Sequence, residues 1–340
     1  MNATNNLLPG HLMRREMAEA TGVFSDAATA DHRTALLETG FALRRSVYTV
    51  ARGSSDAAAN VLSYELMREA GVPVTSLPPS VFSLGNGVDL GQSGVLVISQ
   101  SGASDDLVRS AEGARSNGAV VAAITNKEKS RVSDAANVVL PIGAGPELAV
   151  PATKSVVGSI AAGMALISGM VPGYQRRCAA SAEIVGGLAG IEHPDNDALV
   201  LALQRAQHVY VIGRDAGLGA AQEVALKFKE CCALHAEAYS SSEVLHGPLQ
   251  LVTRPLMILM MDTEDPKTQP SLDIAEQRFR QAGCDLWRVR PSDVGATGLT
   301  PAAAAAVLIN LMYPVILSAA LALGFDPDHP DTLAKETLTL

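Results

Sequence analysis

Aromatic and charged side chains are scarce in this sequence. Aromatic residues make up 4% of the 340 positions, with a single Trp, and charged residues make up 18%. Hydrophobic residues reach 48%, and that much apolar surface excludes a disordered chain because it is enough to form a core. Small aliphatic side chains take the place of the aromatics and suit closely packed layers of helices and strands.

Cysteine pairs and basic clusters are also missing. No C-x-x-C pair occurs, which argues against a zinc site or a disulfide scaffold and favours a reduced, cytoplasmic protein. The net charge is −9 and no run of Lys or Arg stands out, so we expect no nucleic-acid partner. The segment from Met1 to Glu19 contains no apolar core of signal-peptide length. We expect neither a metal nor an organic cofactor. The four cysteines are Cys178, Cys231, Cys232 and Cys284.

One apolar segment has the length of a membrane-spanning helix. Residues 301–324 are almost wholly apolar, although Asn310 and Pro314 interrupt them, and residues 155–171 form a shorter segment of the same kind. The alternative is a pair of helices buried against a sheet or a partner subunit. We favour buried helices and expect no membrane association, because the rest of the chain alternates between helix and strand patterns.

The sequence has the pattern of a duplicated α/β unit. Apolar strand-like runs over 46–51 and 95–98 alternate with helical segments such as 57–70, and similar runs recur over 208–212 and 256–261. Matching features recur at a near-constant separation of almost half the chain length. We therefore predict two tandem units, each with three αβα layers around a parallel sheet. The matched pairs are Gly53 with Gly213, Ser99 with Met261, and Gly118 with Gly283.

A serine-rich turn follows one of the predicted strands. Ser99, Gln100, Ser101 and Ser104 surround the predicted start of a helix, and Gly102 between them lets the backbone approach an anion closely. The turn matches neither a Walker A loop nor G-x-G-x-x-G, so it gives no sign of a nucleotide site. It is interpreted either as a phosphate site without a lysine or as an ordinary helix cap.

Three sequence motifs together resemble one known family. The "SQSGAS" run at 99–104 resembles the sugar-phosphate loop of SIS domains, which have a flavodoxin-like fold. Two such units in tandem, the stretch over 225–252 and the C-terminal "TLAKETLTL" resemble the isomerase domain of glucosamine-6-phosphate synthase. The resemblance covers roughly residues 30–340. It implies SIS domains over 31–175 and 195–330 and a catalytic tail over 331–340, whereas the N-terminal helical segment over 1–30 is predicted from the stripe of Met13, Met17 and Ala20.

The resemblance assigns the catalytic roles. Glu223, Lys227 and Glu230 lie on one face of a predicted helix, where spacing alone favours an exposed, salt-bridged stripe. The resemblance instead implies that Glu230 moves a proton between C1 and C2 and that Lys227 steadies the intermediate. It implies that His246, donated by the partner subunit of a homodimer, opens the sugar ring. Lys335 is expected to form a Schiff base with the ketose.

The resemblance also implies contacts with the sugar. Ser54, Ser55, the backbone of Val150 and Ala334 match positions that touch it, while Ser99, Gln100, Ser101 and Ser104 match those that bind its phosphate. Residues 147–154 depart from the family pattern "E-x-G-V-A-S-T-K" at three places. These are Ala149 for Gly, Pro151 for Ala and Ala152 for Ser.

The expected substrate is a hexose phosphate, either glucosamine 6-phosphate or fructose 6-phosphate. The related synthase begins with a glutaminase domain that this sequence lacks, so we expect no glutamine hydrolysis by that route. Deamination of glucosamine 6-phosphate to fructose 6-phosphate and ammonia is the leading hypothesis. Plain aldose–ketose isomerisation, deglycation of a fructosamine phosphate and a non-catalytic sugar-phosphate sensor are the alternatives.

Overall fold

Two parallel β-sheets form the centre of the molecule. The computed structural model describes residues 8–335, and within them the first sheet has the strand order β2-β1-β3-β4-β5 and the second has the order β7-β6-β8-β9. Every pairing in both sheets is parallel. The predicted pair of parallel α/β units is thereby confirmed. The strands are β1 (Ser46–Val50), β2 (Val74–Ser76), β3 (Ser93–Ser99), β4 (Val120–Thr125), β5 (Val138–Pro141), β6 (His208–Gly213), β7 (His235–Ser240), β8 (Met257–Met261) and β9 (Asp285–Val289).

Helices cover both sheets. Short 3₁₀ turns occupy Phe41–Leu43, Glu243–Leu245, Gly247–Thr253 and Pro291–Val294. The α-helices are α1 (His11–Ala18), α2 (Ala20–Ala28), α3 (Arg33–Glu38), α4 (Ser54–Ala70), α5 (Ser80–Ser83), α6 (Asp105–Ser116), α7 (Arg131–Ala135), α8 (Lys154–Met170), α9 (Pro172–Gly186), α10 (Asn196–Arg205), α11 (Ala216–Cys232), α12 (Gln269–Gln281) and α13 (Pro301–Ala322).

The backbone of the first unit is repeated in the second at one constant offset. Helices α4 and α11 are both 17 residues long. Their first residues, Ser54 and Ala216, lie 162 positions apart, and this number is the offset between the two units. Within residues 8–335, each non-glycine residue with positive φ lies at the same offset from a glycine of similar φ. A left-handed conformation costs a non-glycine residue about 1 kcal/mol, so its retention shows how closely the second unit keeps the geometry of the first. The pairs are Gly53 and Asp215 (φ 56° and 56°), Gly71 and Ala233 (66° and 50°), and Gly102 and Glu264 (62° and 59°).

The match of Gly53 with Gly213 in the sequence is therefore wrong. The conformational counterpart of Gly53 is Asp215, which has the same φ and nearly the same ψ, −133° against −132°. Gly213 is a glycine for another reason. A Cβ at this position would lie 2.1 Å from the carbonyl oxygen of Gly217, so no side chain fits there.

The two units meet where α4 crosses α11 in opposite directions. Asn60 and Gln222 are counterparts at the same offset, and the Asn60 Nδ2 donates to Gln222 Oε1 over 2.7 Å. Gly219 lets the two backbones come together, because a Cβ there would lie 2.7 Å from the Val61 nitrogen and 2.8 Å from the Ala57 oxygen. A local twofold axis therefore passes through the crossing. As a result, the C-terminal half of each helix reaches the loops of the other unit.

Helix α13 accounts for the apolar segment found in the sequence. It is long and apolar enough to span a membrane, and 78% of its most apolar stretch is buried inside the protein. It packs against α11 and α10, and α8 packs against α2 and α4. Burial on nearly all sides explains why neither helix has a polar face.

A buried acid on α4 makes stability depend on pH. Glu65 is fully buried, accepts a 2.8 Å hydrogen bond from the Tyr174 hydroxyl, and has no partner for its second oxygen among the described residues. Burial raises its pKa from 4.5 to about 7. Because the pKa of Glu65 is higher in the folded protein than in the unfolded chain, protonation of Glu65 stabilises the fold. This stabilisation is complete below about pH 4.5 and is lost as the pH rises through 7.

We therefore expect the Glu65→Gln variant to be more stable than the wild type in alkaline solution. The gain should approach roughly 3 kcal/mol at pH 8, since one pKa unit corresponds to about 1.4 kcal/mol. It should shrink towards zero as the pH falls below 4.5. Unfolding by urea at several pH values measures the difference, and Glu112→Gln, an exposed change on α6, is the control. A gain that does not vary with pH would contradict the assignment to Glu65 ionisation.

Candidate active site

One cleft brings together most of the residues that the sequence predicted for the site. It has a volume of about 190 Å³ and lies at the C-terminal ends of β1 and β3, where parallel α/β sheets bind ligands. The loop over 150–152, helix α11 and the C-terminal segment complete it. Ten of the twelve predicted residues line the cleft: Ser54, Ser55, Ser99, Gln100, Ser101, Ser104, Val150, Lys227, Glu230 and Lys335.

The serine-rich turn has the geometry of an anion cradle. Gly102 has φ 62°, and a Cβ there would lie 2.2 Å from the Ser130 hydroxyl, so the turn requires glycine. The Ser99 hydroxyl accepts from the Gly102 N–H over 3.1 Å. Ser104 is the N-cap residue of α6, and its side chain makes no capping hydrogen bond. Ser104 lines the cleft with the rest of the loop, which places the N-terminus of α6, a favourable position for an anion, at the same end of the cleft.

The crossing of α4 and α11 brings Lys227 to the first unit. The Lys227 Nζ donates to the Ser54 hydroxyl over 2.8 Å and to Glu230 Oε2 over 2.6 Å, and it lies 3.3 Å from Glu223 Oε1. The Lys227 side chain is 1% exposed and that of Glu230 is 28% exposed. The stripe is thus buried inside the molecule, apart from its Lys227–Glu230 end, which lines the cleft. The exposed, salt-bridged stripe that spacing alone favours is not what the structure contains.

The surroundings raise the pKa of both buried members of the stripe, Glu223 and Lys227, but for different reasons. Burial alone would lower the pKa of Lys227, but the carboxylates of Glu223 and Glu230 outweigh it and hold this pKa above its usual range. Burial raises the pKa of Glu223 to about 7, with a further contribution from Glu230 and an opposing one from Lys227. Lys227 is therefore a permanent cation next to the Glu230 carboxylate, whereas Glu223 titrates near neutrality.

A buried tyrosine joins this stripe to the loop on the other side of the cleft. The Tyr313 hydroxyl lies 3.4 Å from Glu223 Oε1 and 3.3 Å from the carbonyl oxygen of Thr153. Tyr313 belongs to α13 and is fully buried. The contacts connect three distant parts of the chain behind the cleft and fix α11 relative to the 150–153 backbone.

Glu147 organises that loop and reaches the C-terminal amine. Its carboxylate accepts from the backbone N–H groups of Thr153 and Ser155, each over 3.0 Å, and from the Ser155 hydroxyl over 2.5 Å. The Lys335 Nζ lies 3.4 Å from Glu147 Oε2. Lys335 is thus drawn into the cleft by a carboxylate whose other contacts are already fixed. Val150 lines the cleft despite the three departures from the family pattern around it.

Two predicted residues lie outside the cleft of this chain. His246 is exposed, between the 3₁₀ turns Glu243–Leu245 and Gly247–Thr253, and Ala334 is exposed beside Lys335. The remainder of the predicted tail, residues 336–340, lies outside the described residues. The expectation that a partner subunit supplies His246 stays a prediction, as do the roles of the individual site residues and the domain boundaries.

Sequence reasoning missed several residues that build the cleft. Arg52, Leu107 and Ala152 line it, and Glu147 and Tyr313 support it from behind. Glu147 begins the 147–154 motif, and Arg52 lies two residues before Ser54. A charged side chain next to a segment that is expected to contact the ligand is a signal that could have identified both residues. Tyr313 has no local signal, because its partners are 90 and 160 residues away.

Comparison with known proteins agrees with this architecture. The SIS domain model matches residues 41–169 and 202–284. The glutamine–fructose-6-phosphate aminotransferase (isomerizing) of Symbiobacterium thermophilum is 31% identical over 96% of this chain and 58% of its own length. The chain therefore spans little more than half the length of that relative.

Two solved structures share the fold over almost the whole chain. The C-terminal domain of glucosamine-fructose-6-phosphate aminotransferase from Francisella tularensis has a TM-score of 0.81 and 21% identity, covering 97% of this chain and 100% of that one. Glucosamine-6-phosphate deaminase from Thermotoga maritima has a TM-score of 0.72 and 19% identity, covering 96% and 100%. The duplicated parallel sheets, the serine-rich loop and the matched family model lead to one conclusion: the chain belongs to the SIS domain family and carries two SIS units in tandem.

Proposed function

We propose that this protein deaminates glucosamine 6-phosphate, giving fructose 6-phosphate and ammonia. The observation that carries the proposal is that a carboxylate (Glu230), an amine (Lys335) and a serine-rich anion loop line one cleft of about 190 Å³. A hexose phosphate needs these three groups at its two ends. The deaminase from Thermotoga maritima, which shares the fold, supports the choice of reaction.

The serine-rich loop binds the phosphate, and the open-chain sugar extends towards α11. Glu230 removes the proton from C2 of the aldehyde form, and the enediol-like intermediate takes a proton back at C1. The product of this step has an imine at C2. Lys227 stays cationic beside Glu230 and stabilises the negative charge that develops on the intermediate.

Lys335 then releases the nitrogen. Its amine attacks C2 of the imine, the C2–nitrogen bond to the substrate's amino group breaks, and ammonia leaves as a Schiff base forms between Lys335 and C2. Water hydrolyses this Schiff base to the ketose and regenerates the amine. Glu147, 3.4 Å from the Lys335 nitrogen, is placed to hold the proton that the attacking amine must lose.

Ring opening is assigned to His246 of a second copy of the chain. An imidazole can take a proton from the C1 hydroxyl and return one to the ring oxygen near neutral pH. We expect a His246→Asn chain and a Glu230→Gln chain, each inactive alone, to regain up to about a quarter of the wild-type activity when refolded together. A mixture that stays inactive although mixed dimers form would contradict sharing across the interface.

The reaction is tested by incubating the protein with glucosamine 6-phosphate and measuring ammonia and fructose 6-phosphate. Equal amounts of both products are expected. Interconversion of an aldose and a ketose phosphate without ammonia would instead assign a plain isomerase, and turnover of a fructosamine phosphate alone would assign a deglycase. Binding without any turnover would leave a sugar-phosphate sensor.

A further inference from the structure

Arg52 lines the substrate cleft, although no motif pointed to it. It lies two residues after the end of β1 and two residues before Ser54, and its side chain is 40% exposed. Its guanidinium Nη2 lies 2.6 Å from Asp106 Oδ1. Asp106 is 4% exposed and sits in the first turn of α6, the helix that begins at the serine-rich loop. The buried carboxylate therefore holds the guanidinium against the loop at the phosphate end of the cleft.

The expected ligand is an anion, and Arg52 is placed to bind its negative charge. The serine-rich loop offers hydroxyls and N–H groups but no formal positive charge, and the protein as a whole carries −9. A sugar phosphate brings close to two negative charges. The other cations of the cleft, Lys227 and Lys335, lie beside Glu230 and Glu147, whereas Arg52, which is likewise paired with a carboxylate, is held at the first turn of α6. A guanidinium presents its five donors in a planar arrangement that suits phosphate.

The second unit provides an internal comparison. Arg214 is the counterpart of Arg52 at the offset that relates the two units, and its guanidinium donates to the Ser240 and Ser242 hydroxyls over 2.8 and 2.6 Å. The loop beside it has lost the serine pattern, because Asp262 replaces Gln100 and Asp265 replaces Ala103 at the same offset. Both carboxylates are already in ion pairs, Asp262 with Arg288 and Arg290 and Asp265 with Arg68. The arginine position thus accompanies a serine-rich loop in the first unit and a loop of carboxylate–arginine ion pairs in the second.

We infer that Arg52 is a phosphate-binding residue that makes the site selective for phosphorylated over unphosphorylated sugars. The inference rests on the proposed function only for the class of substrate, a hexose phosphate. Asp106 acts through Arg52 by fixing its guanidinium next to the Ser99–Ser104 loop. The phosphate would then be bound from one side by the α6 N-terminus and hydroxyls and from the other by the guanidinium.

Calorimetric titration of the intact protein with glucosamine 6-phosphate and with glucosamine tests the inference. Arg52→Gln should weaken binding of the phosphate by at least about tenfold, in line with loss of a charge-assisted contact, and should leave glucosamine binding unchanged. Arg52→Lys should fall between the two. Arg214→Gln, the matched change in the second unit, should bind both sugars as the wild type does.

A double variant separates loss of binding from loss of folding. Arg52→Gln leaves the buried Asp106 carboxylate without its guanidinium, so Arg52→Gln with Asp106→Asn removes both charges, and thermal unfolding checks that the fold is kept. The inference is overturned if either folded variant binds glucosamine 6-phosphate as tightly as the wild type, or if both sugars weaken equally. Binding that depends on Arg52 in a protein that releases no ammonia would refute the deaminase and leave this inference standing.

Discussion

Glu230→Gln is expected to lower kcat for ammonia release about 10³-fold with little change in KM. The amide keeps the size of the side chain and can still contact Lys227, whose nitrogen lies 2.6 Å from Glu230 Oε2, but it cannot accept the C2 proton. General acid–base catalysis typically contributes 10²- to 10⁴-fold. The binding groups at the phosphate end are untouched, which is why KM should hold.

Solvent deuterium identifies the step that the variant loses. In heavy water, the wild type should place deuterium at C1 of the fructose 6-phosphate as the proton moves from C2. Glu230→Gln should bind the sugar phosphate and show no exchange. Glu237→Gln, which changes a carboxylate on β7 outside the cleft, should behave as the wild type. Wild-type rates of ammonia release and exchange in Glu230→Gln would exclude this carboxylate as the proton carrier.

The second prediction with a large expected effect concerns the covalent role of Lys335. Reduction with borohydride in the presence of fructose 6-phosphate should trap a stable secondary amine on Lys335, because the reagent reduces a Schiff base between the lysine and C2. Mass spectrometry of the digested protein locates the adduct. Lys335→Arg keeps a cation within reach of Glu147 but cannot form the imine, so it should give no adduct and lose at least about 100-fold in kcat.

Two other lysines are controls for the trapping. Lys229→Arg changes an exposed lysine on α11 and should leave the adduct unaffected. Lys227 is buried and held cationic by its two glutamates, so it should not be labelled in the wild type. Ammonia release by Lys335→Arg at the wild-type rate would mean that water attacks the C2 imine directly and that the lysine has no covalent role.

The sequence predicted the fold well because its signals are local. Continuous apolar strands followed by glycine- and serine-rich turns identify parallel strands covered on both faces, and these strands lie where they were expected. The sequence predicts helices from about residues 57 and 219, and α4 and α11 begin about one turn earlier, at Ser54 and Ala216. The left-handed residues Gly53 and Asp215 turn the chain straight into the helix, so that Ser54 and Ala216 are helical although they looked like loop residues.

The site was harder to predict because its geometry depends on packing between units. Spacing places Glu223, Lys227 and Glu230 on one face of α11, but only packing against α4 and α13 determines that this face is buried. The contact between Arg52 and Asp106 joins residues 54 positions apart, and that between Tyr313 and Thr153 joins residues 160 apart. Pairs of this kind leave no periodic pattern in a single sequence.

The twofold crossing of α4 and α11 has a consequence for the origin of the molecule. Each potential cleft combines loops of one unit with the C-terminal half of the other unit's helix, so a lone unit has no complete site. A single-unit ancestor would have needed to associate with a copy of itself, and that pair would have possessed two equivalent catalytic centres. In the present chain the two centres are no longer equivalent, because the residues at matching positions of α4 and α11 differ. Glu65 and Arg68 now occupy the positions equivalent to Lys227 and Glu230, and Arg68 forms ion pairs with Asp215 and Asp265 across the junction. The positions that match the carboxylate end of the cleft in one unit thus serve in the other to join the two units.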